Sequence, residues 1–206
     1  MAMLQAAKEM PGRPREFDCE ATLAKAVDVF WEYGFSKTTY ALLEKATGLH
    51  RQSLVYAFGD KKALFQAVLR HYAKTRVQAA IDQLKAPGSP LTNIRLVFDS
   101  WLRDVQRKST TGCLFVNTSG EFGRAEPAFA QVIEQSTQRL IEVFEQAIQA
   151  GQSQGEILSY IDAADLARQA IAVGDGALLR SRASNDPSFA EAVFRAFLAS
   201  IKGQNS

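Results

Sequence analysis

Apolar positions recur along this chain at helical spacing, and no stretch alternates in the manner of a strand. Leu23, Ala26, Val27 and Phe30 mark one face of a first helix, with Asp18 placed to cap its start and Gly34 to end it. Thr39 can cap a short second helix through Ala46. The tripeptide Thr47-Gly48-Leu49 breaks it, and a third short helix runs from about His50 to Ala57. Gly59-Asp60 interrupts again, and Asp60 opens a long helix through Leu64, Val68 and Tyr72 to about Leu84. The stretch Lys85-Ala86-Pro87-Gly88-Ser89-Pro90 reads as a loop. Further helices are expected over 91–107, 114–122 and 127–150, broken at Thr110-Thr111-Gly112 and between Gly123 and Pro127. Gly151 to Gly155 separates the next pair. Asp162 and Asp165 are spaced like a capping box at the start of a helix to about Ala183, and Pro187 suits the first turn of a last helix to about Ile201. The pattern is all-α, with nine helices. Pro11, Gly12 and Pro14 block regular structure before them, so residues 1–15 read as a flexible arm.

Residues 39–57 form helix, three-residue turn and helix, the spacing of a DNA-binding helix-turn-helix. Gly48 allows the sharp turn. Leu43, Leu49, Leu54 and Phe58 are apolar where the pair must pack on the first helix. That leaves His50, Arg51, Gln52, Ser53 and Tyr56 to face outward. Arg51 can pair bidentately with guanine and Gln52 with adenine. Short bipartite helices also occur in proteins that never meet DNA, so spacing alone leaves both readings open.

Charge points the same way, but a difference of a few charges is common on ordinary surfaces and leaves both readings open. Residues 1–85 carry 13 Lys/Arg against 9 Asp/Glu, a net +4, whereas residues 86–206 carry 11 against 13, a net −2. A basic first part suits a polyanion. Of the 206 residues, 47% are apolar and 22% charged, enough for a packed core and too apolar for wholesale disorder. No apolar run reaches the roughly 18 residues of a membrane span, and the first residues lack the apolar stretch of a signal peptide, so a cytoplasmic protein with no membrane partner is expected. Two cysteines, Cys19 and Cys113, and two histidines, His50 and His71, make neither a disulfide framework nor a metal site, and no cofactor is expected.

The run from Gly34 to Leu64, GFSKTTYALLEKATGLHRQSLVYAFGDKKAL, resembles the N-terminal domain of the TetR family of bacterial repressors. The matching pieces are Gly34-Phe35, Thr38-Thr39, Gly48-Leu49, Ser53-Leu54, Phe58, Lys61 and Ala63-Leu64, with Gly12 to Asp18 and Phe30 upstream. The resemblance covers about residues 12–70. It implies a three-helix DNA-binding head over 16–65, and a helical domain over 66–206 that binds an effector and dimerises through its last two helices. The boundary falls inside the long helix, near 60–70. Lys61 would meet a phosphate at a helix start, Thr38 and Thr39 would cap or touch phosphate, and Arg13 and Arg15 of the arm would reach phosphate or minor groove unless they are simply a solvated tail. Two positions depart from the family. A tyrosine usually follows the recognition-helix leucine, but Val55 stands there and Tyr56 comes one later, about 100° round the helix. Glu44 stands where a small residue is usual; it can point to solvent or pair with a basic neighbour.

Downstream, Gly112-Cys113-Leu114 with Asn117 and Glu121 resembles a motif of one subset of TetR-like regulators. Cys113 follows a glycine at a helix start, where thiolate is favoured, so it is either an oxidant or electrophile sensor or a small buried apolar residue. Leu69, Tyr72, Phe98, Trp101, Leu102, Phe115, Phe122 and Phe129 offer an apolar and aromatic set that serves a ligand pocket or the core. Leu166, Ala170, Val173, Gly174, Ala177 and Leu178, then Phe189, Val193 and Phe197, would form an isologous four-helix interface in a homodimer. The expected function is a ligand-responsive repressor on a palindromic operator, released by a small hydrophobic or aromatic effector. Thiol sensing at Cys113, or a regulator without an effector, are the alternatives. An enzyme is not expected: His50 lies in the recognition helix, and His71 has no evident orienting acid.

Overall fold

The computed structural model describes residues 18–107 and 112–203. Their helices are α1 (Cys19–Lys37), α2 (Tyr40–Thr47), α3 (Arg51–Phe58), α4 (Lys61–Tyr72), α5 (Gln78–Leu84), α6 (Pro90–Arg107), α7 (Leu114–Phe122), α8 (Pro127–Ser153), α9 (Ala163–Ser184) and α10 (Ser188–Ser200). A π-helical turn, Ala73–Val77, joins α4 to α5 in one continuous rod, so nine helical segments stand among the described residues.

The caps explain the starts. The Asp18 carboxylate accepts the Glu20 and Ala21 N–H groups at 2.9 and 3.1 Å, and the Asp60 carboxylate accepts that of Ala63 at 2.8 Å. Asp162 does the same for Ala164 and Asp165, and the Thr39 hydroxyl accepts the Leu42 N–H. Gly48 ends α2 with φ 76°. Two helix ends move: α1 runs on past a kink at Gly34, φ 73°, to Lys37, and α8 runs past Gly151 to Ser153, with Ile157 packed where a side chain at Gly151 would stand. The long rod also departs from a plain α-helix. Its π turn carries Arg76, whose guanidinium meets Asp104 on α6 at 3.0 and 3.2 Å.

Two cores hold the molecule. One packs α1, α3 and α4 around Phe30, Trp31, Leu54 and Phe65, and continues without a polar gap into Leu114, Phe115 and Phe129 of α7 and α8. Phe65 lies 5.1 Å from Phe129 ring to ring, and Phe35 lies 5.3 Å from Phe122. The other core gathers α6, α8, α9 and α10 about Phe98, whose ring is 4.9 Å from Phe194 and 5.4 Å from Phe197.

This second core uses most of the residues expected at a subunit interface. Leu166, Ala170, Gly174, Ala177, Leu178 and Phe197 are buried within the single chain, and Val173 and Val193 are half-buried. The apolar face of α9 is already covered by α6, α8 and α10, so the fully buried members of the set have no surface to offer a second copy. A different strip stays exposed: Ala172, Gly176, Leu179 and Ala183 on α9, with Phe189, Ala192 and Ala196 on α10. Of the expected set only Phe189 belongs to it.

Candidate nucleic-acid interface and the cavity behind it

Leu43 and Leu54 are fully buried where α2 and α3 meet the rest of the head, and Leu49 and Phe58 are half-buried beside them. The turn is closed from within. Glu44 on α2 accepts the Arg51 N–H at 2.6 Å, satisfying one donor at the start of α3, and stands 3.9 Å from His50 Nδ1. Glu44 is therefore a cross-helix cap, a role its separation of seven positions from Arg51 could have suggested. The surface so held presents His50, Arg51 and Gln52 fully, Ser53 in part, and Tyr56 at 91% exposure. The Arg51 guanidinium lies 4.6 Å from the centroid of the Tyr40 ring, a cation–π contact that orients it. Val55 is exposed too, so the shifted Tyr56 remains on the outer surface.

The residues expected on phosphates divide. Thr38 is buried, and its hydroxyl donates to the Gly34 carbonyl at 2.6 Å, which removes it from any groove. Thr39 caps α2 as an acceptor and stays exposed, so its proton can still be donated. The Lys61 ammonium donates to the Phe35 and Thr38 carbonyls at 3.1 Å each and sits 4.3 Å from the Phe35 centroid. Two of its three donors fasten the α1–α2 junction. Arg13 and Arg15 lie outside the described residues.

That same junction is gripped from below. Glu121 at the end of α7 accepts the Phe35 N–H at 3.0 Å, the Ser36 N–H at 2.8 Å and the Ser36 hydroxyl. Burial pushes the Glu121 carboxyl up, but the hydrogen bonds from Ser36 and Phe35 and the charge of Lys61 outweigh it and hold the group below its ordinary value. At the other end of α7, the Trp31 indole N–H donates to the Gly112 carbonyl at 3.0 Å. Each end of α7 is thus tied to α1 or to the turn after it.

Above the start of α7 lies a cavity of about 440 Å³. Of the expected pocket residues, Tyr72, Trp101 and Phe115 line it. The other five are used elsewhere. Leu69 is buried under the head, Phe98 is in the second core, Leu102 packs beside it, and Phe122 and Phe129 belong to the aromatic stack beneath Phe35. Trp31, the Arg76–Asp104 pair, Asp175 and Leu178 line it without having been expected there. These come from four separate elements, and the 28 positions between Arg76 and Asp104 leave no periodic trace.

Cys113 stands at the N-cap of α7 and in the cavity wall. Burial pushes its thiol up to about 11, the Asp175 charge adds to this, and hydrogen bonds from the Val116 and Phe115 backbone and from the Tyr72 hydroxyl pull the other way without prevailing. The helix-start argument for thiolate thus loses to burial. His71 is not in that wall; its Nδ1 is 2.9 Å from Glu20 on the α1–α4 seam. It does have an acid partner in Glu20.

The family model described as "Bacterial regulatory proteins, tetR family" matches residues 23–68, and that described as "Tetracyclin repressor-like, C-terminal domain" matches 90–197. The chain is 32% identical over 149 residues to the uncharacterized HTH-type transcriptional regulator YezE of Bacillus subtilis, covering 71% of this chain and 76% of that one. The chain belongs to the TetR family. Among other relatives of this TetR-family protein, the HTH-type transcriptional repressor ComR of Escherichia coli is 28% identical over 168 residues, with 79% of each chain covered. A TetR-family regulator from Agrobacterium tumefaciens has the same fold with a TM-score of 0.81 at 19% identity, over 89% of this chain and 97% of that one. The regulator CifR, in a complex of its cysteine mutant with 26-bp operator DNA, superposes with a TM-score of 0.74 at 25% identity, over 92% and 100%. The all-α fold and the family stand as expected. As a TetR-family member the protein is a DNA-binding transcriptional regulator and not an enzyme. Among the described residues no helix is long and apolar enough to cross a membrane.

Proposed function

We propose that this protein is a cytoplasmic repressor that binds a palindromic operator as a homodimer and lets go when a small hydrophobic or aromatic effector fills the cavity. In this reading residues 16–65 are the head, 66–206 the effector and dimer domain, and Arg13 and Arg15 a basic arm on the DNA. One observation carries it: Trp31 belongs to both ends of the problem. Its ring lines the cavity, while its N–H holds the start of the helix whose far end, through Glu121, grips the turn before α2. A ligand that displaces Trp31 or α7 would shift the population of head positions. The test is to select a bound sequence from random duplex DNA, then screen compounds for its release. A cavity ligand that leaves the complex intact would argue for a regulator without an effector. The related ComR is named a repressor, which agrees with the direction proposed.

On the operator, Arg51 and Gln52 read bases, with His50, Ser53, Thr39 and Tyr56 around them, and Lys61 acts by fixing the α1–α2 turn. Arg51→Ala should cost roughly 1–3 kcal/mol and relax preference at one symmetric pair of positions. Binding titrations on a permuted operator set check this. Uniform weakening on every sequence would make Arg51 a phosphate contact instead.

Thiol sensing at Cys113 is the second reading, favoured by its place in the cavity wall. A thiol pushed up to about 11 is almost wholly protonated at neutral pH, and the thiolate is the reactive form. Dilute peroxide should therefore release operator equally from wild type and Cys113→Ser. Release from wild type alone would reinstate the sensor.

A further inference from the structure

Among the described residues, the cavity wall holds one carboxylate without a hydrogen-bond or ion-pair partner. Asp175 projects from α9 into the lining, and among the described residues neither a hydrogen bond nor an ion pair reaches its oxygens. The other charges of the described wall are accounted for differently. Arg76 is bound to Asp104 at 3.0 Å and lies over the Trp31 ring, its guanidinium 5.4 Å from the centroid. Arg103 lines the wall from α6 but is exposed to solvent. Cys113 and Tyr72 are both held protonated by burial. Burial has also pushed the Asp175 carboxyl up to about 6, the mark of an acid taken out of water without a partner.

Around it the wall is aromatic. Trp101 packs against Gly174, the neighbour of Asp175, so closely that a Cβ there would come within 2.6 Å of the indole. A buried charge left unpaired is costly, and a compound that brings the opposite charge recovers that cost. Indole and phenol faces also attract cations.

We infer that the cavity takes an organic cation, an aromatic or bulky apolar body bearing a protonated amine or quaternary ammonium, with Asp175 as the counter-ion and Trp101 and Tyr72 as the surfaces it stacks on. This rests on the proposal that the cavity is the effector site, but it concerns what binds and not what binding does. Of the two arginines of the described wall, Arg76 is taken by Asp104 and Arg103 is exposed, so an anionic ligand would gain only a solvent-screened charge and would still face Asp175.

The test uses the full chain and a matched trio of probes: benzyltrimethylammonium, its neutral carbon isostere neopentylbenzene, and 4-tert-butylbenzoate. Both tryptophans of the sequence line the cavity, so intrinsic fluorescence reports occupancy without DNA. The ammonium should bind at least about tenfold more tightly than its isostere, and the benzoate most weakly. Asp175→Asn, an isosteric change that removes a half-buried charge, should abolish that preference while keeping neopentylbenzene affinity and helical circular dichroism. The ammonium has no titratable group. Its affinity for wild type should fall about tenfold from pH 8 to pH 5 as the Asp175 carboxyl, at about 6, protonates, and the fall should vanish in Asp175→Asn. Equal affinity for the charged and neutral probes, tighter binding of the benzoate, or an unaltered preference in Asp175→Asn each overturns the inference. Operator release is measured in parallel. Charge-selective binding without release would sink the effector proposal and leave the ligand class standing; release by neutral and charged probes alike would do the reverse.

Discussion

A carboxylate placed on the exposed strip of α9 and α10 should convert the protein to a folded monomer that loses its operator. Leu179 and Phe189 are 48% and 44% exposed, large apolar side chains left facing water beside Ala172, Gly176, Ala192 and Ala196. A contiguous strip of that kind on two neighbouring helices is what a two-fold related copy would cover. Light scattering should give wild type twice the chain mass, and Leu179→Asp/Phe189→Asp the mass of one chain with the same helical circular dichroism. Two heads on one rigid frame bind as a bivalent ligand, so separating them should weaken operator binding by about 100-fold or more. Leu178→Asp is the informative contrast. Leu178 is 6% exposed and packs in the second core, so a charge there should melt the fold itself. A double mutant that stays dimeric, or a monomeric wild type holding a palindrome at nanomolar concentration, would defeat the prediction.

That contrast shows where sequence reading stops. Periodicity finds the apolar face of a helix, and for α9 and α10 it pointed to Leu166, Ala170, Ala177 and Phe197. Periodicity does not say whether the covering surface is another helix of the same chain. Here it is, because α6 and α8 lie over that face, and the outward strip is mostly alanines and a glycine, with Leu179 and Phe189 as its only large apolar side chains among the described residues. The head was legible for the opposite reason. Its caps, its Gly48 turn and its buried Leu43 and Leu54 are local features, each decided within a few residues. What the head does with its polar groups was less so. Thr38 and Lys61 look available for phosphate in one dimension, yet in three dimensions their donors meet the carbonyls of Gly34, Phe35 and Thr38. The cavity was the least visible part. Tyr72, Trp101 and Phe115 carried an aromatic signal, whereas Asp175 and the Arg76–Asp104 pair carry no pattern and are joined only by the packing of α4–α5, α6 and α9.

Removing the Glu121 carboxylate should uncouple the cavity from the head. Two backbone N–H groups and the Ser36 hydroxyl converge on it, and Lys61 holds the same turn through the Phe35 carbonyl. Glu121→Ala leaves those donors to water. The group is largely solvent-accessible, so the stability lost should be modest, about 1–2 kcal/mol. The larger effect is on coupling. With α7 no longer attached to the turn before α2, a compound in the cavity should still quench Trp31 and Trp101 but should no longer change operator affinity. A wild-type coupling of about 1–3 kcal/mol, or 5- to 150-fold, should shrink towards unity. Glu121→Gln, which keeps one acceptor oxygen and loses the charge, should fall between. Acid separates this contact from others. A carboxyl held below its ordinary value stabilises the fold above about pH 4.5, and that contribution is lost as pH falls through its lower folded value. Wild type should therefore lose more stability than Glu121→Gln as pH drops below about 4.5. If effector-driven release keeps its wild-type ratio in Glu121→Ala, α7 transmits nothing through this contact, and the signal must pass to the head along α4, which is continuous with the cavity wall at Tyr72 and Arg76.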